Sequence, residues 1–344
     1  MAVEDTTRAA VQRYCASIAR DRLLVQAAGG NISWKSGSTL WIKASGTWLA
    51  DAETKDIFVP VDRQPLDAAL ARGDYAVSPR ALEGNALRPS IETLLHALMP
   101  HSFVVHLHPV DAVAHLVRCN CEVELQAALG DAFAWELVDY HKPGADLARA
   151  VHAKLLEKPG VQVVFLKNHG VIVGAETLVE IDRLLKALNE RLVIQPRPLY
   201  GAVTSIHELT ASVLDGTVYQ VSTDEQIHCL ASDLELYQRL GDSWVICPDH
   251  VVFLGAVAVR VDELTDLGDT VLSVDPAPPF VFVKDMGVLE NRAATLAQRA
   301  QLTFYLDVMI RQPASQPLET LSHDQIASLL NWDAEKYRLA LNQQ

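Results

Sequence analysis

The sequence predicts a mixed α/β fold (α/β or α+β), and three observations predict it. Short apolar runs rich in β-branched residues alternate with segments of helical spacing along the chain. Clusters of Gly, Asn, Ser and Pro separate those segments at turn-like intervals. One run, Val104-Val105-His106-Leu107-His108-Pro109, reads as a buried strand that ends in two histidines at i and i+2. Residues two apart in an extended chain point to the same side, so both imidazoles leave one face together. A strand otherwise made of Phe, Val and Leu has no packing reason to carry that pair.

The elements follow in order. Thr6 or Thr7 can cap a first helix, in which Val11, Tyr14, Cys15 and Ile18 keep helical spacing. Ala28-Gly29-Gly30-Asn31-Ile32-Ser33-Trp34 is a turn opening into a strand. Ser36-Gly37-Ser38 reverses the chain, and Leu40 to Ala44 returns as the second arm of a hairpin, followed at once by Ser45-Gly46-Thr47. Residues 62–88 read as connection, with a short helix over 65–71. Pro89-Ser90 opens a helix through Met99, with Ser90 as its N-cap. After the histidine strand come a helix from Asp111 to Arg118, a helix over 145–157 and a strand from Val161 to Leu166. Lys167-Asn168-His169-Gly170, a short strand from Val171 to Val173 and a helix over 176–192 complete this part. Pro196-Arg197-Pro198 marks a boundary, so the expected domains are 1–199 and 200–344.

The second region echoes the first. Val164-Phe165-Leu166-Lys167-Asn168-His169-Gly170-Val171 matches Val281-Phe282-Val283-Lys284-Asp285-Met286-Gly287-Val288, and each leads into an Ala- and Leu-rich helix. Val104-Val105-His106-Leu107-His108 likewise matches Val251-Val252-Phe253-Leu254-Gly255. In these matches His106 becomes Phe253, His108 becomes Gly255 and His169 becomes Met286. The reading is a degenerate partial repeat without metal ligands, suited to a structural or oligomerising role.

Composition bounds the function. A chain of 344 residues can bury a large core, in one large domain or two ordinary ones. Lys+Arg 29 against Asp+Glu 43 gives a net charge of −14, with no basic cluster. That balance argues against nucleic acid and anionic membrane surfaces as partners. A small anionic substrate stays compatible, because a local nest of backbone N–H groups can oppose the global charge. The acidic N-terminus lacks a signal-type apolar core, and no run approaches bilayer-spanning length. Five cysteines in no framework spacing (Cys15, Cys119, Cys121, Cys229, Cys247) fit reduced thiols and a cytoplasmic setting. Cys119-Asn120-Cys121 is too tight for a zinc knuckle and reads as structural.

Four side chains fit one site: Glu92, His106, His108 and His169. Three imidazoles and an oxygen suit Zn²⁺, with Mn²⁺, Fe²⁺ or Co²⁺ compatible with the same donors. Glu92, in the first turn of the helix before the histidine strand, is a ligand, a base, or both in turn. Each residue has a bland explanation when taken singly: Glu92 suits a helix dipole, and His169 stands before a glycine in a turn. His96, four residues after Glu92 on the same helix face, suits a hydrogen-bonding or packing role better than ligation. Gly30-Asn31, Ser45-Gly46 and Ser90 stand at turns or a helix start, where backbone N–H groups can cradle an anion. Ordinary turn and cap chemistry explains them equally well.

Five ordered motifs then carry a resemblance: Gly30-Asn31-Ile32-Ser33, Lys43-Ala44-Ser45-Gly46, Pro89-Ser90-Ile91-Glu92, His106-Leu107-His108-Pro109 and Asn168-His169-Gly170. Over roughly residues 8–195 the chain resembles the class II aldolase/adducin family, in particular the metal-dependent aldolases of fuculose- and rhamnulose-phosphate. Ala-Ser-Gly-Thr-Trp-Leu-Ala at 44–50 and Arg-Pro-Ser-Ile-Glu-Thr at 88–93 look closest to the aldolase part of fused rhamnulose-phosphate aldolase/dehydrogenases. No Gly-x-Gly-x-x-Gly follows a strand, so the dehydrogenase part is absent from this sequence.

The resemblance implies a three-layer fold, a central sheet flanked by helices. It implies Zn²⁺ on His106, His108 and His169, with Glu92 exchanging between metal and proton transfer. Gly30, Asn31, Ser45, Gly46 and Ser90 would surround the substrate phosphate. A ketose phosphate or related hydroxy-carbonyl compound would be cleaved to dihydroxyacetone phosphate and an aldehyde through a zinc-stabilised enediolate. The same chemistry serves 4-epimerases and decarboxylases of the family, and adducin-like members are non-catalytic interaction modules. The family also implies a homo-oligomer, a fourfold tetramer with sites between subunits. Two departures stand out. Ile91 replaces a family serine, removing a phosphate donor and weakening the case for a phosphorylated substrate; Arg88 is a candidate substitute or a partner for a carboxylate instead. Tyr140, in Asp139-Tyr140-His141-Lys142-Pro143-Gly144, is the nearest tyrosine for the acid on the aldehyde side, although it aligns better with another tyrosine segment.

Overall fold

The computed structural model describes residues 2–82, 84, 86–199, 209, 218–266, 274, 277–330 and 332–342. It divides into two units, and Val193 ends the main stretch of the first. This differs from the expected division at 199/200 in one respect that matters: Trp332–Leu341 belongs with the first unit. Residue 200 and nearly all of 201–217 lie outside the described residues.

The first unit is a mixed α/β structure around a seven-stranded sheet. Its strands are β1 (Asn31–Ser36), β2 (Thr39–Lys43), β3 (Phe58–Asp62), β4 (Phe103–Leu107), β5 (Trp135–Val138), β6 (Val163–Leu166) and β7 (Gly170–Ala175). Their order is β3-β2-β1-β4-β7-β6-β5. Every pairing is antiparallel except β5 with β6. The helices are α1 (Ala2–Ile18), α2 (Arg63–Ala71), α3 (Thr93–Leu98), α4 (Val110–Leu116), α5 (Cys121–Leu129), α6 (Ala145–Glu157) and α7 (Leu178–Leu192).

The period-2 alternation of the strands sorts their side chains onto two faces. Ile32, Trp34, Val105, Leu107, Val171 and Val173 pack with apolar residues of α1, α4, α5 and α7. Leu40, Ile42, Val104, Val164 and Ile172 pack with those of α2, α3 and α6. Helices therefore cover both faces, and each large side chain so buried contributes about 1.5–3 kcal/mol. By parity, His106 shares the α3 face with Val104, and its cross-strand partners are Asn31 on β1 and Ile172 on β7.

Several expected boundaries shift. α1 begins at Ala2, so Thr6 and Thr7 lie inside the helix and are not its cap. The stretch before α2 contains β3, whose buried Phe58, Val59 and Val61 pair it with β2. The helix expected from Pro89–Ser90 starts only at Thr93. Ala44 and Pro89 form an antiparallel bridge, which keeps Pro89 extended. Ser90 closes a turn, its Oγ accepting from the Glu92 N–H at 3.2 Å and its carbonyl from the Thr93 N–H at 3.1 Å. Glu92 thus precedes α3 rather than standing in its first turn.

The second unit carries a four-stranded sheet of β8 (Tyr219–Val221), β9 (Val259–Val261), β10 (Phe280–Val283) and β11 (Gly287–Asn291), in the order β8-β11-β10-β9. Its helices among the described residues are α8 (Cys229–Ser232), α9 (Leu234–Asp242), α10 (Pro248–Leu254), α11 (Leu296–Met309) and α12 (His323–Leu330). The echo of Val164–Val171 falls on the β10–β11 hairpin, as β6–β7 does in the first unit. The echo of the histidine strand does not hold: Val251, Val252, Phe253 and Leu254 are helical, in α10. Pro248 at the first helical position, followed by Asp249 in the first turn, starts a helix there. The last helix, α13 (Asp333–Leu341), belongs to the first unit.

Candidate metal centre and adjoining loops

His106 sits one residue before the end of β4, and its Nδ1 lies 3.0 Å from the Val171 carbonyl. A carbonyl oxygen only accepts, so Nδ1 carries a proton and Nε2 is the ring nitrogen left to ligate. His108, just past the strand end, brings its Nε2 to 3.1 Å from that atom. His169 stands in the β6–β7 turn, where Asn168 takes a left-handed φ of 53° that Asn tolerates better than most residues. A side chain on Gly170 would come within 2.3 Å of the Leu107 carbonyl and 2.7 Å of His108 Cδ2, so only glycine lets this turn close on β4. One donor nitrogen from each of the three histidines lies within 4.8 Å of the others.

Glu92 completes the array. Its Oε2 lies 3.5 Å from His106 Nε2, and its Oε1 lies 3.5 Å from His169 Nε2. The Asn31 side-chain amide donates to Oε2 at 2.7 Å. The register explains this contact: Asn31 faces His106 across β1–β4, so its side chain rises on the face where Glu92 arrives. His106 is fully buried, and Glu92, His108 and His169 are 5–6% exposed. Burying a carboxylate among imidazoles with so few protein donors is costly unless a further positive charge joins them. The spacing fits a divalent ion, since two ligands about 2.0–2.1 Å from one tetrahedral centre stand about 3.3 Å apart. Three nitrogens and an oxygen are donors that Zn²⁺ accepts and that Mn²⁺, Fe²⁺ and Co²⁺ share.

His96 is not part of this array. Its Nδ1 lies 2.7 Å from Ser33 Oγ, and burial pushes its pKa well below the usual histidine value. A neutral ring bonded to β1 ties α3 to the sheet and so steadies Glu92 at the head of that helix.

The loops expected to receive an anion meet beside the centre. Besides the Ala44–Pro89 bridge, the Ser45 N–H donates to the Arg88 carbonyl at 3.0 Å, which sets the Ser45 and Ser90 segments side by side. That bond occupies a backbone donor expected to face the ligand, leaving the Ser45 hydroxyl for that role. The Asn31 side-chain amide is likewise engaged, by Glu92. Gly30 (φ 72°) and Gly46 (φ 77°) both take the left-handed conformation. Beneath them the buried Lys43 ammonium donates to the carbonyls of Ala28 at 3.1 Å and Thr47 at 2.5 Å. Its sequence signal is a charged residue closing the otherwise apolar strand Thr39–Lys43. Tyr140 stands two residues beyond β5, half-buried in the loop to α6. A polar cleft of about 460 Å³ between the end of α5, β5 and α6, with Glu136, Lys154 and Lys158 in its wall, includes none of these residues.

Residues 9–195 match the family described as the Class II Aldolase and Adducin N-terminal domain. An L-fuculose phosphate aldolase of Methanocaldococcus jannaschii is 26% identical over 180 residues, covering 50% of this chain and 86% of the relative. An uncharacterized oxidoreductase of Bacillus subtilis, YuxG, is 27% identical over 179 residues, which cover 46% of this chain but only 25% of that protein. Among solved structures, an N-terminal class II aldolase domain from Thermoplasma acidophilum gives a TM-score of 0.45 at 25% identity, covering 53% of this chain and 90% of that one. A sugar-phosphate aldolase of Thermotoga maritima gives 0.43 at 18% identity, covering 56% and 95%. No helix among the described residues is long and apolar enough to cross a membrane.

Proposed function

This chain belongs to the class II aldolase and adducin N-terminal domain family through residues 9–195, and on that footing we propose that it is a metal-dependent carbon–carbon lyase of the aldolase type. Its substrate would be a small hydroxy-carbonyl compound with an anionic end, a ketose phosphate foremost, cleaved to dihydroxyacetone phosphate and an aldehyde. The observation that carries the reading is the convergence of Glu92 on three buried imidazoles. His106, His108 and His169 would hold the ion, Zn²⁺ or one of its close relatives, with Glu92 as the exchangeable fourth ligand. When bound, the ion supplies Lewis acidity toward a carbonyl and its neighbouring hydroxyl, and positive charge opposite the negative charge that develops during cleavage.

Glu92 is the group placed to move a proton. Asn31 holds one of its oxygens by a hydrogen bond and so aims the carboxylate while the other oxygen takes or returns a proton at the carbon beside the carbonyl. The dry surroundings of the histidines keep water from quenching carbanionic charge at that carbon. Ser45, Gly46 and Ser90 would receive the anionic end, with Gly30 lining the approach and Arg88 supplying the donor that Ile91 cannot. Tyr140 is the candidate acid on the aldehyde side. A complete ligand set in a fully packed setting favours catalysis over the non-catalytic interaction role of adducin-like domains, and a homo-oligomer would suit such an enzyme.

The test is a retro-aldol assay of the full chain loaded with Zn²⁺, run across ketose 1-phosphates, with Glu92→Gln as the decisive variant. Loss of a general base lowers the rate about 10²–10⁴-fold. Unchanged activity in that variant, or no cleavage of any such ketose, would remove this reading.

A further inference from the structure

The last helix of the chain returns to the anion-binding loops. α13 and the residue before it, Trp332, belong to the first unit and touch three of its loops in succession. At the first, a Cβ on Gly46 would lie 2.8 Å from Leu341 Cδ1, so this side chain packs directly on the glycine of Ser45-Gly46. At the second, the Arg88 guanidinium lies over the Tyr337 ring, 4.3 Å from its centre. At the third, Lys142 Nζ lies 4.6 Å from the centre of the Trp332 ring, and a Cβ on Gly144 would meet that indole at 3.4 Å. Two places assigned to the anion thus carry leucine and tyrosine of the chain's own C-terminal segment, and its tryptophan packs on the Lys142–Gly144 loop.

We propose that Trp332–Leu341 is a displaceable cover over the anion-binding end of the site, held by cation–π contacts that an anionic ligand breaks. The inference rests on the assignment of Ser45, Gly46, Ser90 and Arg88 to that end. A guanidinium or ammonium over a half-buried aromatic ring is held less firmly than by the charge-assisted hydrogen bonds the same groups form with phosphate. Exchange of partners therefore favours the anion. Arg88 is the switch residue: over Tyr337 it fastens the cover, and on the ligand it releases it. Leu341 has no polar group to offer a phosphate, so this end of the helix leaves when the ligand enters.

The cover is tested on the full-length, Zn²⁺-loaded protein by amide hydrogen exchange of peptides spanning 332–341, with and without inorganic phosphate. Phosphate should speed exchange there by about tenfold or more, and Trp332→Ala/Tyr337→Ala should bind phosphate about three- to tenfold more tightly by calorimetry, because the open form no longer has to be selected. Exchange that stays constant or slows, while phosphate binds and Arg88→Ala weakens it, would make the helix a fixed wall and leave the anion site standing. Weaker phosphate binding in the double variant would make the two aromatics part of the binding site and overturn the cover. If phosphate binds to neither form, the anion site itself falls, and the cover with it.

Discussion

The two sheets of this chain invite comparison strand by strand. β4-β7-β6-β5 in the first unit and β8-β11-β10-β9 in the second have the same order and the same pairing senses: antiparallel, antiparallel, parallel. Both hairpins turn through a left-handed polar residue, Asn168 at φ 53° and Asp285 at φ 59°. His106 pairs with Ile172, two residues past Gly170; Val221 pairs with Leu289, two past Gly287. Val221 therefore occupies the strand position of His106, Thr223 follows it past the strand end as His108 follows His106, and Met286 takes the turn position of His169. The histidine that does lie nearby, His228, has its Nδ1 accepting from the Val288 N–H and its Nε2 donating to the Ser222 carbonyl, each at 3.0 Å. One backbone arrangement thus holds a cluster of imidazole lone pairs in one unit and a histidine fully used by the main chain in the other. The sheet supplies positions; side-chain identity supplies the chemistry.

The comparison breaks most sharply if the first unit can lose its histidines without losing metal. His106→Ala/His108→Ala should take the purified protein from about one ion per chain to none by elemental analysis, with activity down about a thousandfold or more, while the second unit is unaffected. A pH titration probes the other side. Burial pushes the pKa of His250 in α10 down to about 4, against the usual 6.5. Between those values the unfolded chain binds the extra proton, so stability falls as pH drops from 6.5 to 4 and then levels off. The loss should reach about 3 kcal/mol in chemical denaturation of the second unit, and His250→Phe should flatten it. Asn31→Ala should keep the metal yet lose about 10–100-fold in rate, the usual cost of removing a group that orients a ligand. The smallest effects come from the paired turns. Asn168→Ala and Asp285→Ala should each cost about 1 kcal/mol in thermal unfolding, since alanine resists the left-handed conformation. Only the first should also loosen the metal, as measured by competition with a chelator.

Much of the site was legible because local patterns carry it. The alternation of Phe103–Leu107 fixes which side chains share a face, and the Asn168-His169-Gly170 turn announces itself by residue type. What escaped depends on distant pairings. β3 and β5 are short, and their burial comes from neighbours far along the chain. Val251–Leu254 is an apolar run of the length at which strand and helix look alike; the proline before it was the arbiter. The hydrogen bond from Asn31 to Glu92 joins residues 61 positions apart and follows only from the β1–β4 register. The return of α13 to the first unit has no local signature at all.

Lys43 has a consequence for kinetics. The protein carries a net charge of −14, so an anionic ligand is repelled on approach, over distances that salt screens within about 10 Å at 0.1 M. The buried ammonium, bonded to the Ala28 and Thr47 carbonyls next to Gly46, opposes that repulsion only at short range, where burial limits screening by solvent ions. Ionic strength should therefore act on the two directions of binding unequally: added salt speeds the arrival of a phosphorylated ligand and leaves its residence time nearly unchanged.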